Sequence, residues 1–431
     1  MIDINLIREN PEFVKNNIKK KFQNDKIVLV DKIKKLDESW REIKQKTDSL
    51  RHERNLISEK INKARKGKND KLAKELIKKA QQIPEEIQSL EEKNQKFENE
   101  IKGLLLLIPN IMSKNVPLGR DASQNKEVKK FGKIPKFNFE VKNHVELLEN
   151  LDLADFDRAA KTSGNGFYYL KNEVGILNQA LIRFATDFLK KKNYSYIETP
   201  LMLRSNIAFA AFDKKAIEES VYKIENEDLN LIGTSEQSLL GMRANEIINE
   251  KDLPLKYFSY SMCFRKEVGA HGINEKGLWR THQFNKVEQV IFCKPEDSEK
   301  YFNELLKNSE DILKLLKLPY RIIDICSGDL SDWKYYQKDI EIYRPTTKSY
   351  GEIVSLSNCT DYQARKLNIR CEYKNGEKRI LHTLNDTAIA TSRILVAIIE
   401  NFQQKDGSIK IPKILHKYTG FKVIKCQEMK K

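Results

Sequence analysis

No stretch of this sequence is apolar over anything near the ~20 residues that a membrane-crossing helix needs; the nearest approach is Leu104 to Ile108. Cysteine is scarce, with six in 431 residues (Cys263, Cys293, Cys326, Cys359, Cys371, Cys426) and no CxxC pair. That spacing argues against a disulfide frame or a zinc knuckle and fits reduced, mostly buried thiols of a cytoplasmic protein. Neither GxGxxG nor GxxxxGKS/T occurs, so neither a dinucleotide fold nor a P-loop is supported. Asp3, Glu9 and Glu12 near the start read as neither a secretory signal nor an acid-poor transit peptide. The 19 Phe and 16 Tyr exclude wholesale disorder. At ~100–200 residues per domain, the length predicts two to three domains.

What the chain does have is positive charge: 78 Lys and Arg against 62 Asp and Glu, a net of +16. Such an excess points to a polyanionic partner, nucleic acid or an anionic surface. Its distribution is uneven. Apolar positions Ile33, Leu36, Trp40, Ile43, Thr47, Leu50, Arg54, Ile57, Ile61 and Ala64 step by three and four with two polar interruptions, a heptad seam. A second seam runs Leu72, Leu76, Ala80, Ile83, Ile87, Leu90, Asn94, Phe97, Ile101, Leu104, and Lys66-Gly67-Lys68-Asn69-Asp70 lies between them. The pattern predicts an antiparallel two-helix coiled-coil arm over about 30–105, on the order of 50 Å long, with a kink at Pro84. Residues 1–110 carry 26 basic and 19 acidic side chains, and residues 60–79 alone carry nine against two. The arm's excess therefore sits at its tip, on Lys60, Lys63, Arg65, Lys66, Lys68 and Lys71 among others. A basic run is often only a solvated face. At the end of a projecting lever, without aromatics, it suits phosphate contacts to structured RNA.

Residues 1–109 thus read as a helical domain and 110–139 as a connector rich in Lys, Asn and Gly. From 140 to 431 the pattern becomes α+β. A helix is expected at Leu177–Leu189 and another at Glu299–Leu316. Strands are expected at Tyr194–Thr199, Lys256–Phe264, Asn285–Phe292, Tyr320–Cys326 and Gly351–Leu356, which favours an antiparallel sheet flanked by helices over alternating βαβ. Polar residues cluster within apolar surroundings at four places: Thr234-Ser235-Glu236; Arg265-Lys266-Glu267, a loop bearing Gly269, Gly272 and Gly277, then Thr281-His282-Gln283-Phe284 and Glu288; Glu352-Ile353-Val354-Ser355; and Asn385-Asp386-Thr387 followed by Arg393. Charges on interior strands are costly unless paired or facing a ligand. Two arginines among several carboxylates suit a site that clamps a polyphosphate and an ammonium together.

The runs YSYIETPLML, MCFRKEVGAHGINEKGLWRTHQFNKVEQ and LNDTAIATSRILVAIIENFQ resemble the three motifs of class II aminoacyl-tRNA synthetases. GTSEQ, GEIVSLSNCTDYQARK, SGNGFYYLK and DGSIKIP resemble the seryl-tRNA synthetase subgroup in particular, and the likeness covers nearly the whole chain. It implies a 140–431 catalytic domain with the class II antiparallel sheet, and a ligase that activates L-serine with ATP and esterifies tRNA(Ser); a selenocysteine tRNA stays open as a second substrate. It implies that Arg265 binds the α-phosphate and the serine carboxylate, and that Arg393 binds the γ-phosphate. Lys266, Glu267 and Phe284, with the main chain near Thr281, Ile353 and Val354, would line the nucleotide site, Glu267 on the adenine amino group and Phe284 stacked on its ring. Glu352 and Ser355 would hold Mg²⁺, and no zinc is expected. Glu236 and Thr234 would receive the serine ammonium, with Ser235 among the serine-binding residues; Glu288 would bond its hydroxyl, and Asn385 and Thr387 would close the pocket. Pro200 would lie at a homodimer interface, with the arm reaching the long variable arm of a tRNA bound mainly by the other subunit. No membrane partner is implied. Val354, Asp386 and the Asn274-Glu275-Lys276 loop depart from the family's usual residues.

Plainer readings exist for single residues: a glutamate on a strand can be an ion-pair partner, and His282 a structural hydrogen bonder rather than a base. Two rival functions fit the sequence less well. A non-catalytic RNA-binding paralogue is disfavoured by the intact arginines and metal ligands. A carrier-protein ligase is disfavoured by the arm and by the lack of cysteine ligand spacing.

Overall fold

The computed structural model describes residues 1–268 and 276–425. Gly269, Gly272, Asn274, Glu275 and Cys426, each singled out in the sequence, lie outside the described residues. The chain divides into two compact units, Ile2–Pro109 and Asn110–Lys431 together with Met1.

The first unit opens with two short helices, α1 (Ile4–Glu9) and α2 (Pro11–Lys20), each started by a side-chain cap, Asp3 and Asn10. Then α3 runs unbroken through Ile27–Lys66. The return limb is two helices, α4 (Asp70–Ala80) and α5 (Ile83–Leu105), where one kinked helix was expected. The break falls at Gln81–Gln82, and Pro84 sits in the first turn of the new helix. There its missing N–H has no intrahelical partner to lose. Ion pairs Lys32–Glu100, Lys46–Glu86, Arg51–Glu91 and Lys79–Glu53 join the limbs, and their opposed numbering shows the antiparallel course. All are solvent-exposed, so each contributes at most about 1 kcal/mol. The seam itself is apolar: Ile57, Ile83 and Ile87 pack with Leu50, Ile61, Leu76 and Ala80. One position differs from expectation, since Ala73 is buried while Leu72 is exposed.

The second unit is built on eight strands: β1 (Lys126–Phe131), β2 (Ser195–Tyr196), β3 (Leu255–Phe264), β4 (Gln283–Cys293), β5 (Tyr320–Asp324), β6 (Tyr336–Arg344), β7 (Ser349–Thr360) and β8 (His382–Ala390). They are ordered β1-β5-β6-β7-β8-β4-β3-β2, and every pair is antiparallel except β2 with β3. The stretch 110–139 thus does more than connect, because β1 forms an edge of the sheet. Its sequence, KEVKKF, is exposed along its whole length and has no apolar alternation to announce a strand. Helices α6 (His144–Asn150), α7 (Asn172–Lys191), α8 (Ser235–Gly241), α9 (Ser298–Leu316), α10 (Tyr362–Leu367) and α11 (Thr391–Asn401) complete the frame used below.

Side-chain alternation divides the sheet between two tasks. On β4, Val287 and Ile291 join the core with Leu177 and Leu181 of α7, Leu305, Ile312 and Leu313 of α9, and Ile394 and Ile398 of α11. Phe284, Lys286 and Glu288 alternate with them and face a cleft on the other side. Two one-residue bulges adjust this parity. On β7, Val354 pairs with Ile340 but Glu352 pairs with Glu341, so Ile353 is the extra residue. On β8, Thr387 pairs with Glu288 but Ile389 pairs with Val287, so Ala388 is extra.

Candidate active site

The cleft has a volume of about 450 Å³, within the range of small-molecule sites. Residues 352 and 355 stand three apart and would fall on opposite faces of a regular strand. The Ile353 bulge brings both Glu352 and Ser355 into the cleft, as bulges beside functional sites commonly do. The Ala388 bulge does the same for Thr387 and Ala390.

At one end, Glu288 is 1 % exposed and carries two hydroxyl- or amide-bearing neighbours. Asn385 Nδ2 donates to its Oε1 at 3.3 Å and Thr387 Oγ1 to its Oε2 at 3.2 Å. Lys286 Nζ completes the group 2.8 Å from Oε2. Glu236 lies in the first turn of α8, whose N-cap Thr234 accepts from the Glu236 N–H at 3.2 Å. Burial, aided by the Glu288 charge, pushes Glu236 up to about 7. Gln363 Nε2 on α10 donates to its Oε1 at 2.7 Å, and Thr383 Oγ1 fixes the other end of that amide at 2.7 Å.

Arg265 leaves the end of β3. Its Nε donates to the Gly233 carbonyl at 3.1 Å, and its guanidinium stands 5.4 Å from the centre of the Phe284 ring. The backbone around it is tied to the returning strand: Arg265 N donates to His282 O at 2.9 Å, and His282 Nδ1 meets Arg265 O at 2.9 Å. His282 is therefore placed as a structural hydrogen bonder. Glu267 follows with a left-handed backbone (φ 52°) and accepts from Arg280 Nη1.

At the other end, Arg393 rises from the first turn of α11. Its Nη1 donates to the Glu352 carbonyl at 2.7 Å and lies 3.5 Å from Glu352 Oε2, while Nε donates to Trp279 O at 3.3 Å. The Trp279 ring carries Arg393 at 5.5 Å on one guanidinium contact and Arg344 at 4.4 Å on another. Gly351 is required beneath it, because a Cβ there would come 2.3 Å from the indole. Partial withdrawal from water works to raise the Glu352 carboxyl, but the side chain is 46 % exposed, and Arg393, followed by Lys334 and Arg265, outweighs that effect and holds it low. Asp339, beside it, is driven the opposite way to about 8 by burial and by the Glu352 charge.

The cleft thus gathers Thr234, Glu236, Arg265, Glu267, Thr281, Phe284, Glu288, Glu352, Ile353, Ser355, Asn385, Thr387 and Arg393. Two anticipated side chains do not line it: Ser235 is fully buried, and Lys266 Nζ lies 5.9 Å from the Tyr222 ring centre. Val354, expected to contribute main chain, packs its side chain in the core. Asp386 faces the opposite side of the sheet, where Ser309 Oγ and Gln289 Nε2 donate to its Oδ2, the latter at 2.9 Å. Lys286, Lys334, Gln337, Asp339 and Trp279 line the cleft without having been singled out. Lys286 had a usable signal, lying two residues before Glu288 on one strand; Gln363 lay inside a quoted motif.

In the first unit, Lys60, Lys63, Arg65, Lys66, Lys68 and Lys71 are all exposed around the α3–α4 turn.

Comparison with known proteins fits both units. The seryl-tRNA synthetase N-terminal domain matches residues 1–112, and the class II core domain of tRNA synthetases for G, H, P, S and T matches residues 220–402. The serine–tRNA ligase of Pyrococcus horikoshii is 45 % identical, with 100 % of this chain and 99 % of that protein covered. The crystal structure of seryl-tRNA synthetase from Pyrococcus horikoshii complexed with ATP superposes with a TM-score of 0.94 at 44 % identity, covering 99 % of this chain and 100 % of that one. Cytoplasmic serine–tRNA ligase from Naegleria fowleri in complex with AMP gives 0.88 at 33 % identity, covering 99 % of each. With both domains matched and the relatives aligned end to end, the chain belongs to the seryl-tRNA synthetase family.

Proposed function

We propose that the cleft joins L-serine to ATP and passes the seryl group to the 3′ end of tRNA(Ser). In the first step a serine carboxylate oxygen attacks the α-phosphorus. The new O–P bond forms as the bond to the β-phosphate oxygen breaks, and that electron pair leaves with pyrophosphate. The nucleophile is already anionic, so no general base is needed. In the second step a terminal ribose hydroxyl attacks the acyl carbon, and AMP departs as the hydroxyl loses its proton.

What supports this reading is the division of charge in one cleft. Glu236 and Thr234 provide acceptors for an ammonium. Glu288, already accepting from Asn385 and Thr387, provides a buried acceptor for a short hydroxyl; alanine would leave it unpaired, which disfavours that substrate strongly. Arg265 stands next to the Gly233–Glu236 end, and its charge also acts on Glu352 at the other. It is suited to hold carboxylate and α-phosphate together and to stabilise charge at phosphorus. Phe284, Thr281 and Ile353 offer the adenine wall, and Arg393 the γ-phosphate contact. Glu352 and Ser355 present hard oxygens that fit Mg²⁺, which would offset phosphate charge when bound with the nucleotide. Among the described residues no three His, Cys, Asp or Glu side chains gather as a metal cage, so phosphates and water would supply its other ligands.

A second copy of the chain would pack against the Pro200 region, where Pro200 is exposed beside the exposed apolar side chains Tyr196 and Met202. The basic turn at Gly67 would grip the tRNA away from its acceptor end. Exchange of pyrophosphate into ATP, run against every amino acid, tests the core of this reading; exchange that serine does not stimulate overturns it. Charging of tRNA with and without residues 30–105 tests the arm.

A further inference from the structure

Lys334 stands out in the cleft because its partners are all neutral. It is only 9 % exposed and lies in the segment between β5 and β6. Its Nζ donates to Gln337 Oε1 at 2.9 Å and to Ser355 Oγ at 3.4 Å and lies 5.5 Å from the centre of the Trp333 ring, all neutral groups. Among the described residues no carboxylate comes within ion-pair distance of it. Lys286 provides the contrast, for it is equally buried but sits 2.8 Å from Glu288. An ammonium removed from water needs an anion or a full set of acceptors to offset its lost hydration. Lys334 has neither, although it lines an open cleft.

Its position says which anion is missing. The Lys334 charge acts on Glu236 at the ammonium end and on Glu352 and Asp339 at the phosphate end. Between those ends the carboxylate of the amino acid must meet the α-phosphate, two anions that repel each other. Arg265 is one cation for that junction. We propose that Lys334 is the second, a catalytic residue whose ammonium binds the anionic oxygens of the carboxylate–phosphate junction and offsets the charge that builds there during adenylate formation. Its four-carbon stem lets the ammonium leave Ser355 for the substrate, and Gln337 and Ser355 hold it ready beforehand. No proton transfer is involved; the contribution is electrostatic.

The proposal rests on the serine-activation reading, which the wild-type protein tests first by serine-dependent pyrophosphate exchange. The full-length variants K334M and K334R are then compared with it. K334M is expected to lower kcat for exchange by roughly 10²-fold, the scale of losing one preorganised donor at a developing charge. KM for serine and ATP should rise by much less, and Tm should stay unchanged. K334R, which keeps the charge, should recover a large part of kcat, and added ethylammonium should partly rescue K334A. Exchange by K334M at the wild-type rate would overturn the proposal. So would K334R losing as much as K334M, or a fall in Tm that accounts for the lost activity with no ethylammonium rescue. If K334M does not fold, the K334R rate and the rescue of K334A decide between the same two outcomes.

Discussion

The arm and the cleft use the same side chains in opposite ways. On the arm, lysines and arginines stay in water, pair loosely with glutamates across the limbs, and leave the seam to isoleucine and leucine. In the cleft, Lys286, Lys334, Arg265 and Arg393 are wholly or partly withdrawn from water, and each is held by named backbone or side-chain groups. Exposed charge acts at a distance and is screened by salt. Buried charge acts within a few ångström on whichever group replaces its lost water. The arm can therefore tolerate the loss of any one cation, while the cleft cannot.

The sharpest test of that contrast is R265A, which should lower serine-dependent exchange by roughly 10³-fold and leave the arm's helical signal intact in circular dichroism. The matching change on the arm is the triple variant K63E/R65E/K66E. It should lower kcat/KM for tRNA by about 10²-fold at physiological salt and flatten its salt dependence, with exchange unchanged; exchange that falls as well would break the comparison. A third test uses pH. On the proposed reading Glu236 receives the serine ammonium as an anion, and burial followed by the Glu288 charge has raised it to about 7. The kcat/KM for serine should fall about tenfold per pH unit below that value and lose this limb in E236Q. In the free protein the raised pKa has the opposite sense for folding: its stabilising share is complete below the unfolded value and is lost as pH rises through about 7. Smallest in reach is Ile87→Ala in the arm seam. It should cost the arm about 2 kcal/mol, read as a lower melting transition, with exchange unaffected.

Much of the molecule could be read in advance because it obeys a local period. The α3 seam, the helix at Ser298–Leu316 and the strands at Leu255–Phe264 and Gln283–Cys293 lie within a few residues of expectation. The losses have physical causes. The β1 strand carries no alternation because both its faces are exposed. Leu72 and Ala73 exchange roles where α4 starts afresh from its Asn69 cap. The Ile353 bulge is hidden because a run of residues does not show where a ladder gains one. Lys334 carries no mark of burial in a chain with 78 basic residues; only the fold brings 334 to 355. Gln363 acts by holding Glu236, and such support is set by tertiary contact alone.

The Ile353 bulge has a consequence for how this strand can change. The side chain at 353 needs only to be apolar enough to share the core and the cleft wall, so substitutions there should be absorbed. The number of residues is another matter. Deleting one residue between Gly351 and Ser355 would restore an even ladder with β6 and turn either Glu352 or Ser355 away from its companion. In this part of the chain it is length, more than identity, that is under constraint, and drift should replace letters freely while refusing gaps.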